Sequence, residues 1–316
     1  MKNKPADILY GGLNAEKIQT AQPKFHPKHL EYFIQFVLDR YQVHVNKDVL
    51  KLPKPWTKNP VLLDFKFTNI RREHDKTTKY LLDMIEQHKD APYGNKLMNI
   101  VLYRLFNKIE TSQLLGWVNF GKYDDDTLRK HLLEAKPGFV YFTNAFYTTG
   151  MRQGFRRSYP EEEFEPIVIP RVCNDMKTTI VRAIKQAKTP MEVIEALKQL
   201  DGVGNFLSYQ MFVDFTYLDE FPWSENEFVV SGPGCMKGLD YLFEDKGGLT
   251  HDELMFWLRD NCPITKEQCQ ELMVDLPEYD RYMNVMSLEN CMCELSKYIR
   301  AVEGTGRPKN KYRGRA

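Results

Sequence analysis

The stretch Leu200-Asp201-Gly202-Val203-Gly204-Asn205-Phe206 decides the fold of this chain. It joins two segments with helical periodicity, and its two glycines permit a tight backbone turn that side chains would block. Backbone N–H groups at the start of the second helix can bind a nucleic-acid phosphate. The pattern predicts a hairpin that contacts DNA through Gly202, Val203, Gly204 and Asn205. An ordinary helix–helix turn is the alternative.

The composition indicates a substantial hydrophobic core and almost no overall charge. The chain has 316 residues, of which 42% are hydrophobic, and a formal net charge of +1. This length allows one large domain or two lobes. Because the net charge is small, a nucleic-acid site must be a local patch. The sequence has no apolar signal core and no apolar run of membrane-spanning length, so we expect a soluble, cytoplasmic protein without membrane contact.

The C-terminal residues form the clearest basic patch, with Arg307, Lys309 and Lys311 as candidate DNA contacts, followed by Arg313 and Arg315. A solvated tail and a phosphate-contacting tail are both compatible with this pattern. The chain has six cysteines but no C-x-x-C pair. We therefore expect reduced, mostly buried thiols, no metal and no cofactor.

Helical periodicity over most of the chain predicts an all-α fold with two lobes. We predict an N-terminal arm over residues 1–27, a helical domain over 28–303 and a basic tail over 304–316. The lobes are predicted at about 28–165 and 166–303, because a charged, proline-bounded stretch separates them. Helices are predicted at residues 29–41, 71–86, 96–109, 125–135, 175–186, 190–200, 203–215, 250–261, 266–273 and 287–302.

A second glycine motif, Ser231-Gly232-Pro233-Gly234, predicts a close-approach turn ahead of a helix. Gly232 and Gly234 are candidate DNA contacts, and Lys237 beside the helix start is a candidate phosphate ligand. Glu227 precedes the turn and is a candidate general base. A loop with exposed carboxylates and a solvated lysine is the alternative.

Two arginine-containing segments are candidate anion sites. Arg71 and Arg72 stand at a predicted helix start, where they could bind an anion, and Arg71 could pair with Asp75 at i,i+4. A salt-bridged surface helix is the alternative. Arg104 lies among apolar residues, so it is predicted to be partly buried and to need a carboxylate or a phosphate as its partner.

Together these blocks resemble the α-glutamyl/putrescinyl thymine pyrophosphorylase family, which includes amino-acid:DNA transferases and the helical domain of 5-hydroxymethyluracil DNA kinases. The resemblance implies a fold related to helix-hairpin-helix DNA glycosylases and action on a modified pyrimidine in DNA, in a viral hypermodification pathway of an infected cell. The matching motifs are Pro55-Trp56-Thr57, Phe67-Thr68-Asn69-Ile70-Arg71-Arg72-Glu73, Arg104-Leu105-Phe106-Asn107, Gly202-Val203-Gly204, Gly232-Pro233-Gly234 with Gly238-Leu239, and Cys293-Glu294 with Lys297-Tyr298.

Within this family the resemblance favours a transferase that joins an amine or amino acid to 5-phosphomethyl-2′-deoxyuridine and releases phosphate. Its partners would be DNA containing modified uracil and a small amine or amino acid. The chain has no G-x-x-x-x-G-K-[ST] motif, which makes a kinase the weaker expectation. A DNA glycosylase and a non-catalytic DNA-binding module remain alternatives. Phe206 occupies the position of the lysine in relatives with lyase activity, so lyase chemistry is not expected.

Such a transfer requires three kinds of side chain. A carboxylate must deprotonate the incoming ammonium group, and the candidates are Asp214, Glu227 and Asp75. Cationic groups must stabilise the departing phosphate, and the candidates are Arg71, Arg72, Arg104 and Lys237. An aromatic wall must receive the extruded base, and the candidates are Tyr147, Tyr141 and Trp223. Asp214 is the first carboxylate to test, with a surface helix acid as the alternative.

Overall fold

A computed structural model describes residues 10–119, 139, 141, 173–265, 268, 283–308 and 311–312. Its regular structure is nearly all helical, which confirms the predicted fold class. A short antiparallel pair, β1 (Lys24–Phe25) and β2 (Phe243–Asp245), was not predicted. In chain order the helices are α1 (Ala15–Thr20), α2 (Pro27–His44), α3 (Pro60–Asp64), α4 (Lys76–Gln87), α5 (Tyr93–Phe106), α6 (Ile109–Leu115), α7 (Val181–Gln186), α8 (Pro190–Leu197), α9 (Asn205–Phe215), α10 (Pro233–Leu242), α11 (His251–Asp260) and α12 (Val285–Val302).

The chain divides into two compact units. The first unit combines both ends of the chain, Met1–Asp75 and Glu225–Ala316, and the second unit is Lys76–Ser224. The predicted lobe boundary near residue 165 lies outside the described residues, so the lobes at 28–165 and 166–303 remain a prediction. The predicted helices at 125–135 and 266–273 also lie outside them. No helix in the described part of the chain is long and apolar enough to cross a membrane.

The first unit is built around α12, against which α10 packs along its length. Glycines explain how closely these two helices approach. A Cβ atom placed on Gly234 would stand 2.5 Å from the Sγ atom of Cys293, and one placed on Gly238 would overlap the carbonyl group of Met292. The second glycine motif of the sequence therefore serves helix packing in α10.

Replacing Gly238 by serine should destabilise the first unit strongly. The new side chain meets backbone of α12 rather than a flexible side chain, so we expect the free energy of unfolding to fall by at least about 2 kcal/mol. Gly204→Ser is the matched control, because a Cβ atom there meets nothing within 4 Å and serine is favoured at the N-cap, the position that Gly204 occupies before α9. Urea denaturation of both variants measures the difference, and equal stabilities would contradict this account of the packing.

The structure corrects the helix predicted over residues 71–86. Arg71 is extended, with φ −94° and ψ 129°, a 3₁₀ turn follows at Arg72–His74, and α4 begins only at Lys76. The backbone N and side-chain Nδ2 of Asn69 both donate to Oδ1 of Asp75, at 3.2 and 2.8 Å, which closes this segment into a loop. The predicted pair of Arg71 with Asp75 is therefore wrong, and Arg71 Nε instead lies 3.5 Å from Oε2 of Glu73.

The second unit packs α9 against α5, which is buried on all sides from Gly94 to Phe106. The helix predicted over 96–109 ends earlier, because Asn107 adopts a left-handed conformation with φ 49°. A separate helix, α6, follows. A left-handed asparagine is a common way to stop a helix.

Candidate functional sites in the two units

The predicted hairpin lies in the second unit, between α8 and α9. Gly202 adopts φ +76°, a conformation that disfavours any residue with a side chain, and the N–H of Val203 donates to the carbonyl of Leu200 at 3.0 Å. Val203 is buried and anchors the turn, whereas Gly204 and Asn205 are exposed at the start of α9. This geometry leaves the helix start accessible to a phosphate, and DNA contact there remains a prediction.

Arg104 and Asp214 form a buried ion pair between α5 and α9. Nε and Nη2 of Arg104 donate to the two carboxylate oxygens of Asp214 at 2.5 and 2.6 Å, and Nη1 donates to Oδ1 of Asn107 at 2.9 Å. Asp214 is 0% exposed and Arg104 is 4% exposed. The partner that the sequence required for Arg104 is thus a carboxylate. Catalysis by Asp214, or phosphate binding by Arg104, would require this pair to open.

The predicted base-stacking residues have different surroundings. Trp223 is 9% exposed, and its ring packs 5.3 Å from Phe221 in the core of the second unit. The carbonyl of Tyr141 accepts a hydrogen bond of 2.7 Å from Oγ1 of Thr111. Tyr147 lies outside the described residues. The burial of Trp223 favours a packing role over a stacking role.

Two carboxylates of the first unit that the sequence did not single out, Asp252 and Glu289, lie at the turn before α10. Together with Gly232 of that turn and Arg72, whose charge acts on Glu289, they form what we call the Glu289 cluster. The N–H of Ser231 donates to Oδ1 of Asp252 on α11 at 2.7 Å, and the N–H of Gly232 donates to the carboxylate of Glu289 on α12. The turn before α10 therefore directs consecutive N–H groups to two carboxylates of the protein itself.

Glu289 has an unusual proton affinity. Burial raises the pKa of its carboxyl group to about 7, against the opposing effects of the Gly232 N–H and the charge of Arg72, while the charge of Asp252 adds to the increase. The side chain is protonated and ionised in comparable amounts near neutral pH. A carboxyl group with such a pKa can accept or release a proton at the pH at which most enzymes work.

Further carboxylates of the first unit lie close to arginines. Burial raises the pKa of Glu225, and the charge of Glu73 adds to this increase, whereas Arg71 and a hydrogen bond from Asn284 oppose it. Nδ2 of Asn284 lies 3.2 Å from Oε1 of Glu225, and Oδ1 of Asn284 accepts from the N–H of Ser287 at the start of α12. This contact ties Glu225 to the beginning of the same helix that carries Glu289.

The sequence-predicted residues of the first unit are distributed around this cluster and beyond it. Arg72 belongs to it. Burial raises the pKa of Asp75, although two hydrogen bonds from Asn69 oppose the increase.

Glu227 is 1% exposed, which corrects the expectation of an exposed loop carboxylate. Lys237 is exposed on α10, and the N–H groups of Ser231 and Gly232 bind carboxylates, so a phosphate role of this turn remains a prediction.

Of the basic tail, Arg307 and Lys311 are exposed, and Lys309 lies outside the described residues. Lys311 forms an isolated β-bridge with Phe65, and the N–H of Tyr312 donates to the carbonyl of Asp64 at 3.1 Å. These two residues are therefore held against the first unit. Their contact with DNA is untested.

Glu289 and Asp252 were not predicted as site residues, because no local sequence motif contains them. Each stands in an ordinary amphipathic helix, and only the fold brings them to the same turn. The Gly-Pro-Gly turn was the sequence feature that pointed to this place. The spacing of residues along the chain does not indicate which carboxylates contact the turn.

Comparison with known proteins assigns the chain to a family. A family profile described as "5-hmdU DNA kinase, helical domain" matches residues 27–307. The chain therefore belongs to this family, which confirms the resemblance drawn from its motifs. A relative from Bacillus phage SP10, named "5-hmdU DNA kinase", is 28% identical over 285 residues, covering 85% of this chain and 44% of the relative. The chain thus spans less than half the length of that protein. No solved structure matches it.

Proposed function

We propose that this chain modifies a 5-substituted uracil in phage-type DNA, exchanging the phosphate of 5-phosphomethyl-2′-deoxyuridine for an amine or amino acid. Family membership supports a modified uracil in DNA as the substrate. The observation that carries the choice of chemistry is Glu289, a buried carboxyl group with a pKa of about 7 at the turn before α10, on which the charge of Arg72 also acts. These two groups supply a proton acceptor and a cation for a leaving phosphate.

The carboxylate of Glu289 takes one proton from the ammonium form of the co-substrate, and the freed nitrogen forms a C–N bond at the exocyclic methylene. The C–O bond to phosphate breaks, its electron pair leaves on the phosphate oxygen, and the proton held by Glu289 passes to that oxygen. Arg72 stabilises the charge that develops on the departing group.

The exposed hairpin of the second unit serves in this proposal to hold the DNA backbone. The N–H groups at the start of α9 and the exposed Gly204 and Asn205 suit a phosphate. Enzymes that act on a base within a duplex must move it out of the stack. The proposal therefore requires a duplex-binding surface in addition to the Glu289 cluster.

One assay separates this reaction from its alternatives. The protein is incubated with duplexes containing 5-phosphomethyluracil or 5-hydroxymethyluracil and with glycine, glutamate, serine or putrescine, with and without ATP and Mg²⁺, and the DNA is digested to nucleosides for mass spectrometry. The proposal expects a nucleoside with the mass of the amine and without phosphate, and an intact glycosidic bond. Free base would indicate a glycosylase, and the absence of any amine adduct would overturn the transfer.

A kinase-associated role is the second candidate, because both the family profile and the phage relative bear the name of a DNA kinase. In that role the helical domain presents 5-hydroxymethyluracil for phosphorylation. It expects ATP-dependent addition of phosphate to 5-hydroxymethyluracil in the same assay. It also expects 5-phosphomethyluracil to remain unchanged with every amine.

A further inference from the structure

A cleft in the first unit lies between the loop that contains Trp56, helix α3 and the basic residues near the C-terminus. It encloses about 730 Å³ and is lined in part by Lys54, Trp56, Leu62, Lys311 and Tyr312. The rings of Trp56 and Tyr312 stand 5.8 Å apart at 65°. None of the lining residues belongs to the Glu289 cluster. The cleft is therefore distinct from the side chains proposed to act on the base.

Lysines surround the two aromatic rings. The Nζ atoms of Lys47 and Lys54 lie 5.7 and 5.4 Å from the ring centre of Trp56. The Nζ atoms of Lys54 and Lys66 lie 5.2 and 5.3 Å from the ring centre of Tyr312. Ammonium groups over aromatic faces place positive charge and stacking surface in the same small volume. This combination is typical of sites that bind single-stranded nucleic acid.

We propose that this aromatic cleft binds a nucleotide of single-stranded DNA, with its base on Trp56 or Tyr312 and its flanking phosphates on the lysines. The volume falls within the range of about 300–1,000 Å³ that small-molecule sites occupy. Exposed apolar residues nearby, Leu52 and Leu63, would also suit a protein partner. The surplus of lysines around the rings favours a polyanion instead, because a phosphate backbone complements their charge.

Binding of a fluorescein-labelled, unmodified single-stranded oligonucleotide, followed by anisotropy at several salt concentrations, tests this proposal. The full chain is compared with Trp56→Ala, Trp56→Phe and Lys54→Gln. Lys24→Gln is the control, since Lys24 is an exposed lysine of the same unit that lies in β1 and does not line the cleft. Both Trp56 variants lose the hydrogen bond from Nε1 to the carbonyl of Leu52, so their difference isolates the aromatic face.

Trp56→Ala should weaken binding at least about fivefold, and Trp56→Phe by less than about twofold, because a phenyl ring still stacks on a base. Lys54→Gln should reduce the slope of log Kd against log salt concentration by about 0.7, whereas Trp56→Ala should leave this slope unchanged. Lys24→Gln should alter neither quantity.

Three results would overturn the proposal. They are equal losses for both Trp56 variants, affinity of Trp56→Ala within twofold of the natural chain, or a Lys24→Gln effect as large as that of Lys54→Gln. A change of oligomeric state in Trp56→Ala with unchanged DNA affinity would identify the cleft as a protein interface. Because the assay uses neither a modified base nor an amine, it can fail independently of the proposed transfer.

Discussion

Replacing Asp214 by alanine is expected to lower the free energy of unfolding by about 3–5 kcal/mol, because it leaves the guanidinium of Arg104 buried without its carboxylate. Urea denaturation measures this loss. The same variant is also the first test of catalysis by Asp214, so stability must be measured before any loss of activity is assigned to chemistry. A fully stable but inactive variant would favour the catalytic role predicted from the sequence.

Two further variants complete this test. The double replacement Arg104→Met with Asp214→Leu removes both charges and should recover much of the lost stability, since a buried ion pair can often be exchanged for apolar residues. Glu195→Gln is a control for the loss of an ion pair at the surface. Glu195 pairs with Lys198 in the same unit at 2.9 Å, and the two side chains are 57% and 33% exposed, so we expect a loss of at most about 1 kcal/mol.

Replacing Glu289 by glutamine is expected to change both the pH dependence of stability and the rate of the proposed transfer. Its pKa is about 7 in the folded chain and 4.5 in the reference state, so the folded state favours the protonated form. Its contribution to stability is fully present below pH about 4.5 and is lost as the pH rises through about 7, by roughly 3 kcal/mol. The glutamine variant should lack this loss when compared with the natural chain from pH 4 to pH 8.

Glu253→Gln should show the opposite behaviour. The pKa of Glu253 is lowered, because hydrogen bonds from Lys17 and Thr250 outweigh its burial, which acts to raise it. Its contribution is present above its ordinary pKa and is lost as the pH falls. The Glu253→Gln difference therefore develops below pH about 4.5, whereas the Glu289→Gln difference develops between pH about 4.5 and pH about 7. A Glu289→Gln difference that stays as flat as that of Glu253→Gln between pH 5 and pH 8 would show that Glu289 does not titrate near neutrality.

For the proposed transfer, Glu289→Gln should reduce kcat by about 10²- to 10⁴-fold, the usual contribution of a general base. The increase of the natural rate with pH through about 7 should disappear in the residual activity. Single-turnover measurements between pH 5 and pH 8 give both quantities. An unchanged profile would reject Glu289 as the proton acceptor, and Asp75 and Glu227 would then be the next carboxylates to test.

Local patterns in the sequence predicted much of the architecture. The helix over residues 250–261 appears as α11, because Thr250 and Glu253 form a capping box that any local reading can find. The hairpin turn could also be predicted from the sequence, since the turn requires a residue with a positive φ and Gly202 supplies it. The helix predicted over 71–86 is present from Lys76 as α4, but its start was placed too early, because the hydrogen bonds from Asn69 to Asp75 override the helical pattern of the intervening residues.

The sequence by itself determined the all-α class, the glycine turns and the family, because each depends on local periodicity, backbone freedom or the order of motifs along the chain. Only the tertiary structure decided which charges meet. It paired Arg104 with Asp214 and placed Glu289 at the turn before α10. The sequence could not predict these features for a physical reason. The pKa of a carboxyl group depends on its burial and on charged neighbours from distant segments, and residue spacing along the chain specifies neither.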